Sequence, residues 1–341
     1  MNQIDFVQTW VDGGDPAWRK LRSEYEATER GITLGDADAN AECRYQDNGL
    51  LRYWFRGVEK FAPWVHRVFF VTCGQKPAWL NESCPRLRLV NHSDYIPKEW
   101  LPTFHSNTIE LNLHRIPDLS ERFVIFNDDM FLLKSIAPDF FFRSGLPVIA
   151  CDLGLPPWLG SSNISRIALN NSGLVKHAFD VERQVWRNWR KNFSIGSLGA
   201  VRAAKNLASI AVNKTVVHGC FGHLAQPHLK STFEEFWARF PHVLERTSRH
   251  RFRADDCVNQ WLGSAWNLTK GNFQPANEKN LGQHLTIDTG SLASVCDIIR
   301  NARHAQLCLN DKGGTEGLDR CFAEIANAFD AILPEKSSFE L

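Results

Sequence analysis

Several features that would identify a common class of protein are scarce or absent in this sequence of 341 residues. No stretch approaches the roughly 18 uninterrupted apolar residues of a membrane-spanning helix, and MNQIDFVQTW lacks the basic and apolar regions of a signal peptide. The 39 Lys and Arg residues almost balance the 38 Asp and Glu residues. Because binding to a nucleic-acid backbone needs a strong positive field, we expect no nucleic-acid partner. The sequence predicts a folded, cytoplasmic protein.

Sequence motifs of the common enzyme classes are also missing. The nine cysteines include no CxxC pair, which predicts reduced thiols rather than a disulfide framework or a zinc site. No GxGxxG, P-loop, HExxH or GxSxG pattern occurs, so a dinucleotide fold, a Walker site, a zinc protease and a serine hydrolase are not indicated. Trp is abundant, with 12 residues beside 4 Tyr and 2 Met. Tryptophan is common in protein cores, on surfaces where it stacks against sugar rings, and at membrane interfaces, so its abundance alone does not distinguish between these locations.

The first 145 residues alternate predicted strands with predicted helices. Apolar spacing predicts a helix over Asn48–Ala62 with Asp47 as its cap, and another helix that Asn107 caps with Glu110 three residues on. This alternation predicts an α/β fold with a mixed, partly parallel sheet flanked by helices. Four short apolar runs predict the strands: Ile4–Val11, Val68–Thr72, Leu87–Val90 and Phe123–Phe126.

The second half has a more helical pattern. Ser231 and Glu234 form a capping-box pattern, and an apolar stripe runs from Leu318 to Ile332 before Pro334. We expect one catalytic domain over 1–341. The predicted parts are an α/β core over 1–145 and 305–311, a more helical part with acceptor-side insertions over 146–304, and a C-terminal helix and tail over 312–341.

A basic run with two tryptophans lies inside residues 152–215, which are rich in Asn, Ser and Gly. Trp186 and Trp189 alternate there with Arg and Lys up to position 191. This run is compatible with an interfacial helix on anionic lipid. A solvated basic face with Trp in the core is the favoured interpretation.

Acidic residues follow two of the predicted strands. Asn127, Asp128 and Asp129 come directly after Phe126, and Asn310 and Asp311 follow another short apolar run. Ligands of α/β sheets bind beyond the carboxyl ends of strands, and a divalent cation relieves the repulsion of adjacent carboxylates. The alternative is a polar turn in each place.

Two further segments carry polar groups suited to phosphate chemistry. Asp12 and Gly13 follow the first strand, where a glycine turn admits close backbone approach to a ligand. His218, His223 and His228 precede Arg253, and histidine with arginine suits proton transfer and phosphate binding. An ordinary turn and structural histidines are the alternatives.

With these segments in view, the sequence resembles the Stealth family of sugar-phosphate transferases, which includes bacterial capsular and exopolysaccharide phosphotransferases and the animal enzyme that adds N-acetylglucosamine-1-phosphate to lysosomal glycoproteins. Four blocks carry the resemblance, over roughly 1–22, 42–145, 215–262 and 305–340. They include IDFVQTWVDGGDP, DNGLLRYWFRGVEKFAPWVHRVFFVTCGQKPAWL, LPTFHSNTIELNLHRIPDLSERFVIFNDDMF, HLAQPHLKSTFEEFWARFPHVLERTSRHRFRADD, LCLND and PEKSSFE.

The resemblance implies a modified glycosyltransferase A-type α/β fold with an added helical part. The implied reaction transfers a hexose-1-phosphate from a nucleotide-diphosphate sugar, with a UDP-sugar favoured, to a glycan or lipid-linked glycan hydroxyl. A nucleoside monophosphate is released, and Mg²⁺ or Mn²⁺ is the implied cofactor. A metal-dependent glycosyltransferase that releases a nucleoside diphosphate and a non-catalytic carbohydrate-binding module are the alternatives.

Site residues follow from the same resemblance. His223, Asp128 and Arg253 are the implied catalytic residues. Metal ligands are expected at Asp129, Asn310 and Asp311, and substrate contacts at Asp12, Gly13, Asn48, Arg52, His105, Ser106 and His228.

The sequence departs from the family pattern in the segment Pro-Thr-Phe-His-Ser, where the family more often has Asn in place of His105. His228 remains a rival to His223 as the catalytic histidine. Residues 146–214 and 263–304 align with no family block, and we expect acceptor specificity there, with Trp158, Trp186 and Trp189 as candidates. Peripheral contact with the inner face of the membrane is compatible with this location, and no oligomeric state is predicted.

Overall fold

The protein is described by a computed structural model that covers residues 3–29, 45, 48–153, 163–213, 223–311 and 317–341. The strands are β1 (Ile4–Thr9), β2 (Val68–Thr72), β3 (Leu87–Asn91), β4 (Arg122–Phe126), β5 (Met130–Leu132), β6 (Phe142–Arg143), β7 (Leu146–Ala150), β8 (Gln226–Leu229), β9 (Gln274–Ala276), β10 (Gln283–Ile287) and β11 (Gln306–Asp311). The four strands predicted in the first 145 residues are confirmed as β1 to β4, with ends that shift by at most two residues.

Helices fill most of the chain between and after these strands. They are α1 (Pro16–Glu29), α2 (Leu51–Phe61), α3 (Ser106–Leu111), α4 (Asn163–Ala178), α5 (Val181–Arg187), α6 (Trp189–Asn192), α7 (Ile195–Leu198), α8 (Ala200–Asn213), α9 (Lys230–Arg239), α10 (Pro241–Arg249), α11 (Trp261–Lys270), α12 (Leu292–Arg300) and α13 (Leu318–Ile332). Short 3₁₀ turns occur at His92–Asp94, Lys98–Trp100, Leu113–Arg115, Pro138–Phe140 and Glu278–Asn280. The α/β class is confirmed.

The largest sheet is mostly parallel and has the strand order β3-β2-β1-β4-β8. β1 is parallel to β2 and to β4, so the carboxyl ends of these strands meet at one edge. β8 runs antiparallel to β4, with Gln226 opposite Ile125. The chain that enters β8 therefore arrives at the same edge at which β4 ends.

A second sheet extends that edge. β5 starts immediately after the turn that follows β4, and β11 runs antiparallel to it with Cys308 opposite Met130. β10 then pairs in parallel with β11. A third, smaller sheet has the order β6-β7-β9. β8 and β10, which lie within the part predicted to be more helical, complete the first two sheets.

Helix α2 supports the sheet from one side because its apolar residues recur at helical spacing. Leu51, Phe55 and Val58 are buried in one cluster with Phe6 and Phe70 of the sheet, and each fully buried side chain of this size contributes roughly 1.5–3 kcal/mol. The predicted helix is confirmed. Its predicted cap, residue 47, lies outside the described residues.

Two predicted capping patterns, at α3 and at α9, are wrong. α3 begins at Ser106, so Asn107 is buried in its first turn, and no side chain caps it. α9 begins at Lys230 without a side-chain cap of its own. Instead Glu121 accepts hydrogen bonds from the backbone N–H and the hydroxyl of Ser231, so a carboxylate from the neighbouring loop satisfies the helix terminus.

Residues 163–213 form five consecutive helices, α4 to α8. Trp186 and Trp189 are 44% and 54% exposed, so the expectation of Trp in the core is wrong for both, because the helices turn these side chains outward. Trp158 lies outside the described residues. Across the described chain, no helix combines the length and apolar character needed to span a bilayer.

Candidate functional site

The acidic residues after β4 lie at the carboxyl edge of the main sheet. Asn127 and Met130 close a tight turn through an N–H···O bond of 3.2 Å, so β5 leaves directly after Asp129. The backbone carbonyl of Asp129 accepts a hydrogen bond of 2.8 Å from the N–H of Leu309 in β11. Two strands therefore fix the backbone at Asp129, from which its carboxylate projects.

His223 reaches the same edge because β8 is antiparallel. Its Nε2 lies 3.2 Å from Oδ2 of Asp129. Burial alone would raise the pKa of Asp129, but the facing imidazole and its hydrogen bond lower it overall. Burial would lower the pKa of His223, and the Asp129 carboxylate more than offsets this, so that pKa is raised. The carboxylate of Asp129 therefore stabilises the imidazolium that forms when His223 accepts a proton.

Asp129 has further acceptor capacity that the protein leaves open. Cys308 Sγ donates to Oδ2 at 3.3 Å, and burial together with the Asp129 charge raises the pKa of this thiol far above its ordinary range. Oδ1 is buried and has no hydrogen-bond partner among the described residues. Since an orphaned buried carboxylate oxygen is costly, this atom suits a cation.

Asp129, His223 and Cys308 form one of the two groups in the described chain that could hold a metal ion. The predicted ligands Asn310 and Asp311 end β11, two and three residues after Cys308. Side chains alternate along a strand, so Asn310 shares the Cys308 face toward Asp129, whereas Asp311 lies on the opposite face. Oxygen ligands of this type suit hard divalent cations.

Arg253 and Ser106 lie beside this pair. The Arg253 guanidinium donates to Ser106 Oγ at 3.0 Å. Glu110, one turn further along α3, is 4% exposed and interacts electrostatically with Arg253 and His223. Burial raises the pKa of Glu110 to about 7, although both cations and the Ser106 hydrogen bond lower it. Acids and bases with pKa values near neutrality suit proton transfer.

The turn after β1 borders a cavity at the same edge of the sheet. Gly13 donates its N–H to the Tyr45 carbonyl at 2.7 Å, and a Cβ at this position would lie 2.3 Å from that oxygen, so only glycine fits. Asp12 accepts from the Gly14 N–H at 2.8 Å. The cavity has a volume of about 170 Å³ and is lined by Gly13, Gly14, Trp18, Arg19, Arg22 and Tyr45.

Other predicted substrate contacts lie elsewhere. His228 is fully buried between Phe123 and Phe233, with Nε2 2.6 Å from Gln260, and burial lowers its pKa to about 4. His105 is 2% exposed, lies 2.9 Å from the His250 carbonyl, and has a pKa that burial lowers to about 3.

Two more of the predicted substrate contacts lie at the start of α2. Asn48 precedes α2, and Arg52 is exposed in its first turn with its guanidinium over the Trp79 ring. Within the described ranges, no contact joins either residue to Asp129 or His223. Asp128 is half-buried in the turn beside Asp129. His218 lies outside the described residues.

Two residues near the site were not predicted from the sequence. The capping pattern gives Glu110 a place in a helix but no role at the site, and the surrounding sequence, which is rich in polar residues, carries no signal that would identify it. His284 of β10 pairs with Cys308, and its ring lies 5.6 Å from that of His223. No sequence pattern distinguishes His284, because only strand pairing brings it to this edge.

A second group of similar composition lies on the loop around Arg253. His250 Nε2 and Arg246 Nε each lie 2.9 Å from a different oxygen of Asp256, and Cys257 is within ligand distance. Both oxygens of Asp256 are thus engaged by basic side chains. The Asp256 side chain is 45% exposed, against 22% for Asp129.

Three family models match this sequence. They are Stealth protein conserved region 1 over residues 2–30, conserved region 2 over 44–148 and conserved region 3 over 222–260. Three of the four blocks of the resemblance are thereby confirmed. The fourth block, near the C-terminus, stays a prediction.

Curated relatives match along the whole chain. The sequence is 38% identical to a capsular polysaccharide phosphotransferase, WcwK, of Streptococcus pneumoniae, over 100% of this chain and 99% of that protein. It is 37% identical to a receptor polysaccharide phosphotransferase, WefC, of Streptococcus oralis, over 100% of both chains. It is 33% identical to an exopolysaccharide phosphotransferase, cps2G, of Lactiplantibacillus plantarum, over 99% of this chain and 96% of that protein.

Among solved structures, a galactosyltransferase, LgtC, in complex with donor and acceptor sugar analogs, covers 98% of both chains at 11% identity and a TM-score of 0.37. A similarity this low supports no argument about fold or activity.

Proposed function

This chain belongs to the Stealth protein family, and from that premise we propose that it transfers a hexose-1-phosphate, for example N-acetylglucosamine-1-phosphate, from a nucleotide-diphosphate sugar to a glycan hydroxyl. The observation that carries the proposal is the Asp129–His223 pair at the sheet edge, with a buried Asp129 oxygen left open. Full-length relatives named as polysaccharide phosphotransferases support the same reaction class. The cellular process we propose is the synthesis of a cell-surface polysaccharide.

The proposed reaction is a phosphoryl substitution. The acceptor oxygen forms a bond to the sugar-bearing phosphorus, and the bond from that phosphorus to the oxygen bridging the two phosphates breaks. The products are a sugar–phosphate–glycan diester and a nucleoside monophosphate, and the hydroxyl proton passes to a base. Such reactions depend mainly on positioning and on stabilisation of negative charge.

His223 is the proposed base, and Asp129 orients its imidazole and stabilises the imidazolium that forms. General-base catalysis of this kind contributes about 10²–10⁴-fold. Arg253 holds the transferred phosphoryl group from the side of Ser106, since a guanidinium matches phosphate oxygens. Asp128 is a second candidate for the base.

The described residues fit a divalent cation. We propose that Asp129 through Oδ1, with Asn310 on the Cys308 face of β11, holds Mg²⁺ or Mn²⁺, because both offer oxygen ligands and the Cys308 thiol stays protonated. The predicted ligand Asp311 lies on the opposite face of the strand and is left out of this set. When bound, the ion would neutralise charge on the diphosphate. Because Nε2 of His223 faces Oδ2 of Asp129, the proton of the acceptor hydroxyl would be taken up at Nδ1.

The donor is proposed to bind along the turn at Asp12 and Gly13. The adjoining cavity of about 170 Å³ presents Arg19 and Arg22 beside the aromatic Trp18 and Tyr45, a combination suited to an anionic group next to a flat ring. We favour a UDP-sugar as donor and a glycan or lipid-linked glycan as acceptor. A lipid-linked acceptor would place the protein in the cytoplasm at the inner face of the membrane.

We propose that residues 1–341 form one catalytic domain.

A donor screen tests the proposal. Purified protein is incubated with a panel of nucleotide sugars, Mg²⁺ or Mn²⁺, and oligosaccharide acceptors, and the released nucleotide is identified by chromatography. We expect a monophosphate whose release needs both acceptor and metal, and its loss in Asp129→Asn. Release of a nucleoside diphosphate would show a glycosyltransferase instead, and binding of glycan without turnover of any donor would show a carbohydrate-binding module.

A further inference from the structure

Residues 183–213 have a charge unlike that of the rest of the chain. The whole chain has a formal charge of +1, yet this segment contains basic residues and no Asp or Glu. Its basic residues are Arg183, Arg187, Arg190, Lys191, Arg202 and Lys205. Arg202 pairs with Asp152, and Lys191 donates to the Gly271 carbonyl. The other four are exposed and pair with no carboxylate in the part of the chain that the structure describes.

The same segment concentrates exposed apolar side chains. Nine large hydrophobic residues are strongly exposed among those described, and six of them lie between positions 186 and 212. These six are Trp186 (44%), Trp189 (54%), Ile195 (67%), Val201 (73%), Leu207 (45%) and Val212 (79%). Single exposed apolar residues are ordinary, but a concentration of them marks an interaction surface.

Helix α8 shows the pattern most clearly. Its inward side is formed by Ala203, Asn206 and Ile210, which are buried. Its exposed side carries Val201, Lys205, Ala208 and Val212 at spacings of three and four residues. A helix on the surface of a soluble protein normally directs polar residues to water. The outward stripe of α8 is instead apolar with one cation.

These helices are firmly attached to the protein. Asn206 Nδ2 donates to the carbonyls of Asn192 and Cys151 at 2.9 and 3.1 Å, and Asn192 donates to the Val185 carbonyl at 3.0 Å. All of these groups are buried. The apolar exposure therefore belongs to an ordered layer and does not result from loose packing.

We propose that this layer, formed by α5 to α8, docks on the surface of an anionic lipid bilayer. Exposed Trp and aliphatic side chains enter the headgroup region, while Arg183, Arg187, Arg190 and Lys205 meet the negative lipids, which is the charge and side-chain pattern of interfacial helices. Glu182, at the start of α5, is the one acid among the described residues of this layer, against six basic residues, and this excess of positive charge favours a membrane over a protein partner of mixed charge.

The layer is connected to the candidate site, so docking on a membrane would affect where that site lies. Helix α4, which leads into it, is joined to the loop of Arg253, because Asn163 Nδ2 donates to the Ala254 carbonyl at 3.3 Å and Asn170 Nδ2 to the Asp255 carbonyl at 2.9 Å. Docking would hold this loop close to a lipid-linked acceptor. Vesicle binding does not require turnover, so docking and the proposed reaction can fail independently.

The test is flotation of the full chain with vesicles of neutral phosphatidylcholine or of phosphatidylcholine with anionic phosphatidylglycerol. We expect binding to the anionic vesicles only, weakened by salt. The variant R183Q/R187Q/R190Q should lose about 100-fold in partition coefficient, at about fivefold per charge. W186A/W189A should lose about tenfold or more.

Matched controls remove the same groups from other exposed sites. The triple variant at Lys98, Lys134 and Arg300, each changed to Gln, and L21A/L341A should float like the wild type. Because all substituted side chains are exposed, circular dichroism should be unchanged throughout. Equal flotation with neutral vesicles, wild-type flotation of R183Q/R187Q/R190Q, or a dimer that W186A/W189A dissociates in place of vesicle binding would overturn the proposal.

Discussion

Asp129 and Asp256 each lie within a cluster of one acid, one histidine and one cysteine, yet the two clusters differ in how the acid is satisfied. Both oxygens of Asp256 are engaged, one by His250 and one by Arg246, and the side chain is 45% exposed. At Asp129, His223 and Cys308 share one oxygen, and the other is buried without a hydrogen-bond partner among the described residues.

This difference shows that composition and spacing do not by themselves make a reactive centre. A solvent-exposed carboxylate that is already paired with basic side chains contributes little apart from supporting the local structure. A carboxylate held by two strands at a sheet edge, with an open buried oxygen, retains the capacity to bind a cation and to orient a base. We therefore expect catalysis and metal binding at the Asp129 cluster and only structural support from the Asp256 cluster.

The largest expected effect comes from Asp129→Asn, which should lower kcat/KM by at least about 10³-fold. The change removes the charge that holds both the cation and the imidazolium. Asp256→Asn is the matched substitution and should change kcat/KM by less than about threefold. Steady-state kinetics with a saturating metal makes the comparison, and similar losses in both variants would remove the distinction between the clusters.

His223→Gln should follow, with a loss of about 10²–10³-fold in kcat and a small change in KM, as expected for a base that acts in the transition state. His250→Gln should stay within about threefold of the wild type. Single-turnover assays separate the chemical step from product release. A loss confined to KM would show that His223 binds substrate without transferring a proton.

Glu110→Gln should stabilise the fold while it lowers activity. Burial raises the pKa of Glu110 from 4.5 to about 7, so the native state binds this proton more tightly than the unfolded chain. The resulting penalty is absent below pH 4.5 and complete above about pH 7, where it amounts to roughly 3 kcal/mol. Urea unfolding with chelator present at several pH values measures it, and exposed Glu99→Gln is the control. A pH-independent difference would contradict a buried, titrating Glu110.

Metal binding should depend on the same cluster. Asp129→Asn should raise the Kd for Mn²⁺ by about tenfold or more, whereas Asp256→Asn should leave it unchanged. Titration calorimetry of the apoprotein reports this without any turnover. Loss of Mn²⁺ binding in Asp256→Asn would show that the cation binds at the second cluster instead.

The smallest effect is expected at His284, whose ring faces His223 but forms no hydrogen bond with it among the described contacts. His284→Ala should lower kcat/KM by about two- to fivefold. A loss as large as that of His223→Gln would mean that the two histidines share the proton-transfer role.

The sequence predicts local elements here better than the groups that meet across the sheet. Strands β1 to β4 and helix α2 follow from apolar runs and helical spacing, because burial on one side decides them. The placement of His223 beside Asp129 depends on β8 being antiparallel, and no spacing reveals that direction. The predicted cap at α9 failed for the same reason, since the group that satisfies Ser231 is Glu121, 110 residues away. The predicted cap at α3 failed because the helix begins one residue earlier, at Ser106.

Among the site residues that the family resemblance names, one hydrogen bond joins His223 with Asp129 and another joins Arg253 with Ser106. An electrostatic interaction between Arg253 and His223 links the two pairs. His228, from the histidine-rich segment, and His105, from the segment Pro-Thr-Phe-His-Ser, were also predicted to contact substrate, but both are buried. The sequence does not indicate Glu110 as a site residue, because its interactions with Arg253 and His223 arise only in the folded chain.

The central claim, transfer of the sugar-bearing phosphate from the Asp129 site, is tested most directly with a nucleotide sugar that carries ³²P at that phosphorus. We expect label in a glycan phosphodiester and unlabelled nucleoside monophosphate, with transfer abolished by Asp129→Asn and retained by Asp256→Asn. Label that leaves with a nucleoside diphosphate, or transfer that survives in Asp129→Asn, would contradict it.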